Sequence, residues 1–249
     1  MNNILPIDAE SSVLAKLRKI YGPAANIQQG YIRLEKVLTQ SSTSENFTLG
    51  EGRSNGNKRP LENFLSQSDN FVPVYMRVGI QKEFYTELGN NGNEPVYSYP
   101  DLSVFSGAGV APALSEAQAL EGIYSGNLGL KSNTYEVVNK MSLERFRRVP
   151  QTQTGSDANT TAPAVKKLQA SSGEIFEGFV KLPIVPIFEG KKRNEFNFTY
   201  AQGSDATNIG FTDTEADRNI LVFTLWGFLV RNASEPASVS ELTRNGVIL

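Results

Sequence analysis

Histidine and cysteine, on which much protein chemistry depends, are both absent from this 249-residue sequence. Without histidine the chain lacks the commonest general base and the central member of a Ser-His-Asp triad. Without either residue it lacks the usual ligands of zinc and a cysteine nucleophile. The phosphate-binding pattern G-x-x-x-x-G-K-[ST] is absent too. We therefore predict that the protein is not an enzyme and has no catalytic residue, cofactor, metal ion or small-molecule substrate.

Carboxylates are the remaining candidates for catalysis, because a pair of them can hydrolyse a glycosidic bond without histidine or metal. Four acidic residues qualify by position: Glu174, Glu177, Glu189 and Glu195. Acidic side chains on outward strand positions are more often solvated than catalytic. Gly107 and Gly109 form half of a dinucleotide-binding fingerprint, without the third glycine that it requires. A carboxylate enzyme therefore stays open as the last of three function classes.

Basic residues form short groups that are candidates for binding phosphates or a neighbouring subunit. The groups are Lys16, Arg18 and Lys19; Arg145, Arg147 and Arg148; and residues 191–193. The alternative for each is a solvated face or a turn. Arginine and aromatic residues are both favoured at interfaces, so the group around Phe146 is the strongest candidate. The first two groups are our predicted contact residues.

Composition places the chain among globular proteins without a strong electrostatic field. It has 24 basic and 26 acidic residues and is 39% hydrophobic. This balance gives no strong attraction to nucleic acid or anionic lipid as a whole. The first residues lack a basic segment followed by an apolar run, which predicts no signal peptide. The longest apolar run, 220–230, is about half of a membrane span. We expect a protein made in a cytoplasm and used there or carried out in an assembled particle.

Hydrophobic periodicity predicts mostly strands. Alternation is clearest from Val72 to Ile80, which predicts one buried face, and Pro73 places the start of that strand at a sheet edge or bulge. The apolar run 220–230 predicts a strand buried on both faces in the middle of a sheet. Strands are expected near 31–38, 45–49, 71–83, 127–132, 135–140, 175–188, 194–200 and 219–231, with those at 71–83, 175–188, 194–200 and 219–231 central.

Two short helices are expected beside these strands. The first has an apolar stripe of Val13, Leu14, Leu17, Ile20 and Tyr21 and ends at Gly22-Pro23. The second begins in a loop with a capping box at 115–118 and ends at Gly126. The first stripe must be buried, so we predict an arm at 1–30 that docks outside a β domain at 31–249. In an assembly its partner would be a neighbouring subunit or the inner surface of a shell.

Eight strands separated by long polar loops are typical of a jelly-roll type antiparallel β-sandwich. This layout, from about residue 31 to 231, resembles the capsid proteins of tailless icosahedral bacterial viruses. The resemblance rests on strand order and loop style, not on a sequence motif, so no family residue is assigned. Such proteins often carry two barrels in a chain of this length, which leaves a double jelly roll open.

The resemblance implies a virion structural protein, a capsid subunit that assembles with copies of itself into an icosahedral shell. Its partners would be its own copies, other virion proteins and, non-specifically, packaged nucleic acid or an internal membrane. Loops 39–60, 151–173 and 201–218, with 145–148, are the expected subunit contacts. The second function class is a carbohydrate- or surface-binding module of a fibre or spike, for which Tyr97, Tyr99 and Phe105 are candidate exposed aromatic residues.

Overall fold

A computed structural model gives the arrangement of the chain. It describes residues 7–38, 43–49, 64–84, 122–147, 178–201, 217–233, 243–244 and 247–248. The helical elements are α1 (Ile7–Tyr21) and a 3-10 helix, η1 (Leu143–Phe146). The strands are β1 (Asn26–Val37), β2 (Ser44–Thr48), β3 (Asn70–Phe84), β4 (Asn127–Ser132), β5 (Tyr135–Ser142), β6 (Val180–Lys181), β7 (Val185–Pro186), β8 (Phe188–Glu189), β9 (Asn194–Thr199), β10 (Asp217–Arg231), β11 (Thr243–Arg244) and β12 (Val247–Ile248).

Two antiparallel sheets make up most of the structure. Sheet A has five strands in the order β1-β10-β3-β6, with β8 also paired to β3. Sheet B has four strands in the order β2-β9-β4-β5. A small third sheet joins β11, β12 and β7. The prediction of an all-β protein with antiparallel sheets is confirmed.

The main hydrophobic core lies between sheets A and B. Both sheets contribute buried side chains to one cluster, and edge-on aromatic pairs cross the gap between them. The rings of Phe47 in sheet B and Phe223 in sheet A are 4.7 Å apart, and those of Phe188 in sheet A and Phe196 in sheet B are 5.4 Å apart. Edge-to-face geometry at this spacing is favourable beyond the apolar area that it buries.

Strand β10 lies in the middle of sheet A, between β1 and β3. Its residues Ile220 to Phe223 are fully buried, on both faces of the sheet. The prediction for this segment is confirmed, and its physical reason is that a strand covered on both faces needs apolar residues at successive positions.

A β-bulge changes the direction of the side chains along β3. The pairing of β3 with β10 steps from Tyr75↔Trp226 to Pro73↔Gly227, which leaves Val74 as the extra residue. Met76, Val78 and Ile80 therefore face the core between the sheets, whereas Val72 and Val74 face outward towards α1. The expectation of a bulge or edge at Pro73 is confirmed. The expectation of one continuous buried face is wrong, because the bulge shifts the alternation by one residue.

The prediction of a strand at 175–188 is wrong in two respects: the segment is not one continuous strand, and it is not central. Its described part forms three strands of two residues each, β6, β7 and β8. Pro183 lies between β6 and β7, and Pro186 is the last residue of β7, because proline donates no backbone hydrogen bond with which a strand could continue. Among the described strands, both β6 and β8 pair with β3 alone, at the edge of sheet A.

Helix α1 packs on the outer face of sheet A of its own chain. Val13, Leu17 and Ile20 are buried in a second cluster that includes Val72 and Phe228. The apolar stripe is therefore covered without a neighbouring subunit. The expected boundary between residues 30 and 31 falls inside β1, which begins at Asn26.

The second predicted helix is described only at its end. Residues 122–124 are helical, and its capping box at 115–118 lies outside the described residues. Ile123 and Tyr124 are buried in the core between the sheets. The amide of Gly126 donates to the carbonyl of Ile123 at 3.1 Å, and its own carbonyl accepts from the amide of Leu143 at 3.0 Å. This helix end is therefore tied to η1.

Candidate functional site

The first predicted contact group lies on α1, whose outward side it occupies. Arg18 and Lys19 are exposed in the last turn, and Lys16 is half-buried. Basic side chains at a helix C-terminus are stabilised by the helix dipole. A structural role therefore explains their position as well as a contact with phosphates does.

The second group is divided between surface and core. Arg145 is exposed on η1 and Arg147 is half-buried at its end, while Arg148 lies outside the described residues. Phe146 between them is fully buried and anchors η1 in the core, and η1 packs against β3. The structure does not bring this group together with the one on α1, since α1 lies on the opposite, outer face of sheet A.

The third basic group is a turn held by acidic neighbours. The Lys192 Nζ lies 2.5 Å from Glu189 Oε1, Lys191 Nζ lies 3.8 Å from Glu189 Oε2, and Arg193 Nε lies 2.5 Å from Glu195 Oε1. The buried amide of Asn194 donates to the carbonyls of Glu189 and Lys192, each at 3.0 Å. All three basic side chains of this turn are therefore paired with carboxylates, which gives the group a structural role.

Two of the four candidate catalytic carboxylates lie in the described part of the chain. Glu189 and Glu195 are engaged in this turn, and Glu174 and Glu177 lie outside the described residues. Within the described ranges no group of histidine, cysteine and acidic residues lies together as a metal site. Residues 52–56, GRSNG, match the serine-nucleophile pattern G-x-S-x-G but also lie outside the described residues. The serine of that pattern needs a histidine base, and the sequence has none.

The outer face of sheet A brings together residues that are far apart in the sequence. Three neighbouring strands place Tyr31 beside Trp226 and Trp226 beside Tyr75. Two residues along, Thr224 lies between an arginine of β1 and one of β3. These side chains point outward because their sequence neighbours in each strand face the core. We call this group of outward-pointing side chains, of which Tyr75 is buried in the cluster with α1, the sheet A patch: Tyr31, Tyr75, Trp226, Arg33, Arg77 and Thr224.

Exposure varies across the sheet A patch. Tyr31 is 50% exposed, whereas Trp226, Thr224 and Arg77 are half-buried. The Arg33 Nε donates to Glu35 Oε1 at 2.6 Å. No sequence pattern predicts this patch, because its residues meet only through strand pairing. The one signal in the sequence was Tyr31, an aromatic residue at the start of the strand predicted at 31–38.

Exposed aromatic residues are few in the described part of the chain. Besides Tyr31, Phe64 is 60% exposed and Tyr135 is 54% exposed. The aromatic residues proposed from the sequence, Tyr97, Tyr99 and Phe105, lie outside the described residues. The outward positions described in sheet B include small polar side chains: Ser44, Asn46, Asn127, Asn197 and Thr199.

Buried tyrosines lie at two places in the core. Burial raises the pKa of Tyr200 far above its usual range, and the nearby carboxylate of Glu45 raises it further. Burial likewise raises the pKa of Tyr124, which the positive charges of Arg77 and Arg147 partly oppose. Both phenols are therefore neutral at physiological pH.

The buried Tyr200 predicts a loss of stability at alkaline pH. Unfolded tyrosine ionises near pH 10, but folded Tyr200 keeps its proton, so its contribution is present below about pH 10 and is lost as pH rises towards the folded pKa. Tyr200→Phe should flatten this loss in urea unfolding between about pH 8 and pH 11. Near neutral pH it should cost little, because the Tyr200 hydroxyl makes no hydrogen bond to a described residue. Tyr135→Phe, an exposed ring, is the control, and an unchanged slope in Tyr200→Phe would contradict the prediction.

Comparisons with known proteins identify no relative. No protein-family pattern, characterised protein or solved structure matches this chain. Among the helices of the described residues, none has the length and apolar character of a membrane span.

Proposed function

We propose that the two sheets form a jelly roll, because the strands pair in a nested order. Taking β6 to β8 as one strand, sheets A and B contain eight strands in chain order. The first pairs with the last (β1 with β10), the second with the seventh (β2 with β9), the third with the sixth (β3 with β6) and the fourth with the fifth (β4 with β5). Rolling a long hairpin into two facing sheets produces this nesting, which is the order of an eight-stranded jelly roll.

The function that we propose on this fold is that of a capsid subunit assembling into a closed icosahedral shell. Jelly rolls are used by viral capsid proteins and by lectins. The nested pairing carries the proposal, and the absence of histidine and cysteine supports a structural role over a catalytic one. The partners would be copies of this chain and other virion proteins, and the protein would be made in the host cytoplasm and reside in the virion.

The edge of sheet B at β5 favours contacts through loops and surfaces over strand addition. The pairing of β4 with β5 contains two register shifts, between Leu128 and Leu130 and between Leu130 and Lys131. Bulges twist an edge strand away from a regular partner, and exposed charges such as Glu136 and Lys140 oppose pairing further. A shell would therefore use the polar segments between the strands and the exposed residues of η1.

The test is the mass of the purified protein. We expect large closed particles in light scattering and electron microscopy, with a small set of sizes set by symmetry. The variant Arg145→Glu reverses an exposed charge on η1 and should reduce the particle fraction without changing the thermal midpoint. Lys181→Glu, an exposed charge on β6, is the matched control. A protein that stays monomeric at high concentration in every salt and pH condition would rule out the shell.

A surface-binding module is the second candidate. The exposed rings of Tyr31, Phe64 and Tyr135 favour it, because aromatic rings are common in recognition surfaces. A monomer that binds an oligosaccharide and loses that binding in Tyr31→Ser would favour this candidate over the capsid subunit.

A further inference from the structure

We propose that the outer face of sheet B binds the same face of a second copy of this chain. The two copies would be related by a two-fold axis that runs along the strands, midway between β9 and β4. The inference adds this face to the surfaces through which copies in the proposed shell would meet, so its biological use rests on the proposed function. The contact itself needs only two copies and can be measured without a shell.

The outer face of sheet B is polar because the large apolar side chains of its strands point into the core. Phe47, Phe196 and Leu128 pack between the sheets, so the residues next to them in each strand face outward. Strand pairing sets these outward residues in three rows: Ser44, Thr199, Asn127 and Ser142; Asn46, Asn197 and Gly129; and Thr48, Glu195, Lys131 and Glu136. The face is open to solvent at four of these positions, Asn46, Glu136, Ser142 and Thr199.

The charges of the third row are self-complementary about the proposed axis. Lys131 of β4 and Glu195 of β9 are direct partners across the two middle strands. Rotation about an axis between these strands places Lys131 of each copy over Glu195 of the other, which makes two identical ion pairs. Packed sheets are about 10 Å apart, a gap that an extended lysine and a glutamate span together. Because the row alternates in sign from Glu195 through Lys131 to Glu136, it matches a rotated copy of itself better than a ligand of one charge.

Glu195 can bind across the interface although it already holds a neighbour in its own chain. Its Oε1 accepts from the Arg193 Nε at 2.5 Å, and its side chain is 27% exposed. A carboxylate has two oxygens with about four lone-pair sites, so the arginine orients Glu195 without occupying all of its acceptor capacity. The acceptor for the lysine of the partner copy is therefore held in place before the copies meet.

The other two rows carry short side chains, which allow two sheets to approach. The same rotation places Thr199 over Asn127 of the partner copy, a hydroxyl facing an amide, and each group can both donate and accept. In the middle row Asn197 faces Gly129 of the partner copy, which is buried and has no side chain. Two such faces can therefore reach the spacing of packed sheets, about 10 Å.

The area of this face predicts a weak contact. Four strands about 4.8 Å apart and five or six residues long cover roughly 400 Å² on each copy, about half of a standard interface of about 800 Å² per partner. We therefore expect a dimer that forms at high protein concentration and dissociates on dilution. In a shell the other contacts of the same subunits would strengthen it by raising the effective concentration.

Charge reversal combined with mixing tests the two-fold contact. Lys131→Glu and Glu195→Lys each place like charges over one another on both sides of the axis, so each should weaken dimerisation about tenfold or more in sedimentation velocity. An equimolar mixture of the two variants restores opposite charges at both places and should dimerise as the unaltered chain does. Lys181→Glu, an exposed charge on β6 of sheet A, is the matched control and should leave the dimer unchanged. Circular dichroism checks that each variant is folded.

Cross-linking detects the same contact whether or not a shell forms. The chain contains no cysteine, so Asn197→Cys introduces a single thiol beside the axis. The Cα atoms of this position in the two copies would be about 11 Å apart, so a short bismaleimide should join them into a covalent dimer. Adding Lys131→Glu should abolish the cross-link. Ala15→Cys, an exposed position on α1, controls for chance collisions in dilute solution.

The results also separate this contact from the capsid proposal. Single variants that dimerise as well as the unaltered chain, or a mixture that dimerises no better than its components, would overturn the contact. Dimers that form without particles support the contact and reject the shell. Particles in which Asn197→Cys does not cross-link keep the shell and reject the contact, and a chain that stays monomeric at high concentration rejects both.

Discussion

Gly227→Ala should destabilise the protein by about 3 kcal/mol or more, because this position has no room for a side chain. A Cβ atom there would lie 2.0 Å from the carbonyl oxygen of Val72 and 2.7 Å from the Cα of Pro73. Both obstacles are backbone atoms of the β-bulge, so no side-chain rotation relieves the clash. The bulge must therefore open. Opening it disturbs the change of side-chain direction by which β3 buries residues on both of its faces.

Gly30→Ala is the matched control for this prediction. Gly30 lies directly opposite Gly227 on β1, and a Cβ atom there would meet only side chains, Leu229 Cβ at 3.7 Å and Phe71 Cε2 at 4.0 Å. These are ordinary contacts, so the free energy of unfolding should change by about 1 kcal/mol or less. Urea unfolding monitored by circular dichroism measures both. Equal stability of the two variants would show that the bulge yields to a methyl group.

Strand positions were predictable where both faces of a strand have a clear chemical character. The prediction for β4 at 127–132 has the observed bounds, and β10 differs from 219–231 only at its first two residues. The start of β1 was missed, because Asn26, Gln28 and Gln29 are polar and exposed there. A polar edge strand has no periodic apolar signal, and its pairing with β10 is what defines it.

The candidate surfaces were predictable only where the contributing residues are neighbours in the sequence. The basic group on α1 and the arginines on either side of Phe146 could be identified in the sequence. Whether each of these side chains is exposed could not be predicted from it. Burial depends on packing, and Phe146 anchors η1 so that Arg145 points to solvent while Arg147 is half-buried. The sheet A patch combines residues from three strands. Register alone brings Arg33 and Arg77 to either side of Thr224, and no local pattern encodes that register.

Polar contacts at the start of β3 fix the orientation of α1 on sheet A. The side-chain amide of Asn70 donates to the Tyr21 hydroxyl at 2.9 Å. The Asp69 carboxylate accepts from the backbone N–H of Asn232 at 3.0 Å. Both acceptors lie beside the start of β3. Burial raises the pKa of Tyr21; the Asn70 hydrogen bond opposes this shift, and the charge of Glu189 adds to it. A neutral, hydrogen-bonded Tyr21 therefore fixes the last turn of the helix on sheet A.

Leu17→Asp should release α1 from sheet A while leaving the core between the sheets folded. Leu17 is fully buried in the α1 cluster, and none of the α1 side chains that the structure describes belongs to the core between the sheets. Each apolar side chain of the stripe contributes about 1.5–3 kcal/mol by burial, opposed by the entropy of ordering the helix, so we expect a loss of about 3–5 kcal/mol. The β signal in circular dichroism should persist.

Release of the helix would be visible at Trp226, which packs against the same cluster. Its fluorescence should shift to longer wavelength in Leu17→Asp, since water reaches the indole, and remain unchanged in Ala15→Asp, an exposed position two residues away. Under the capsid proposal the released helix also exposes the apolar outer face around Val72 and Phe228, so closed particles should give way to irregular aggregates. Complete loss of the β signal in Leu17→Asp would instead make α1 part of the folding core, and the segment could no longer be regarded as an arm.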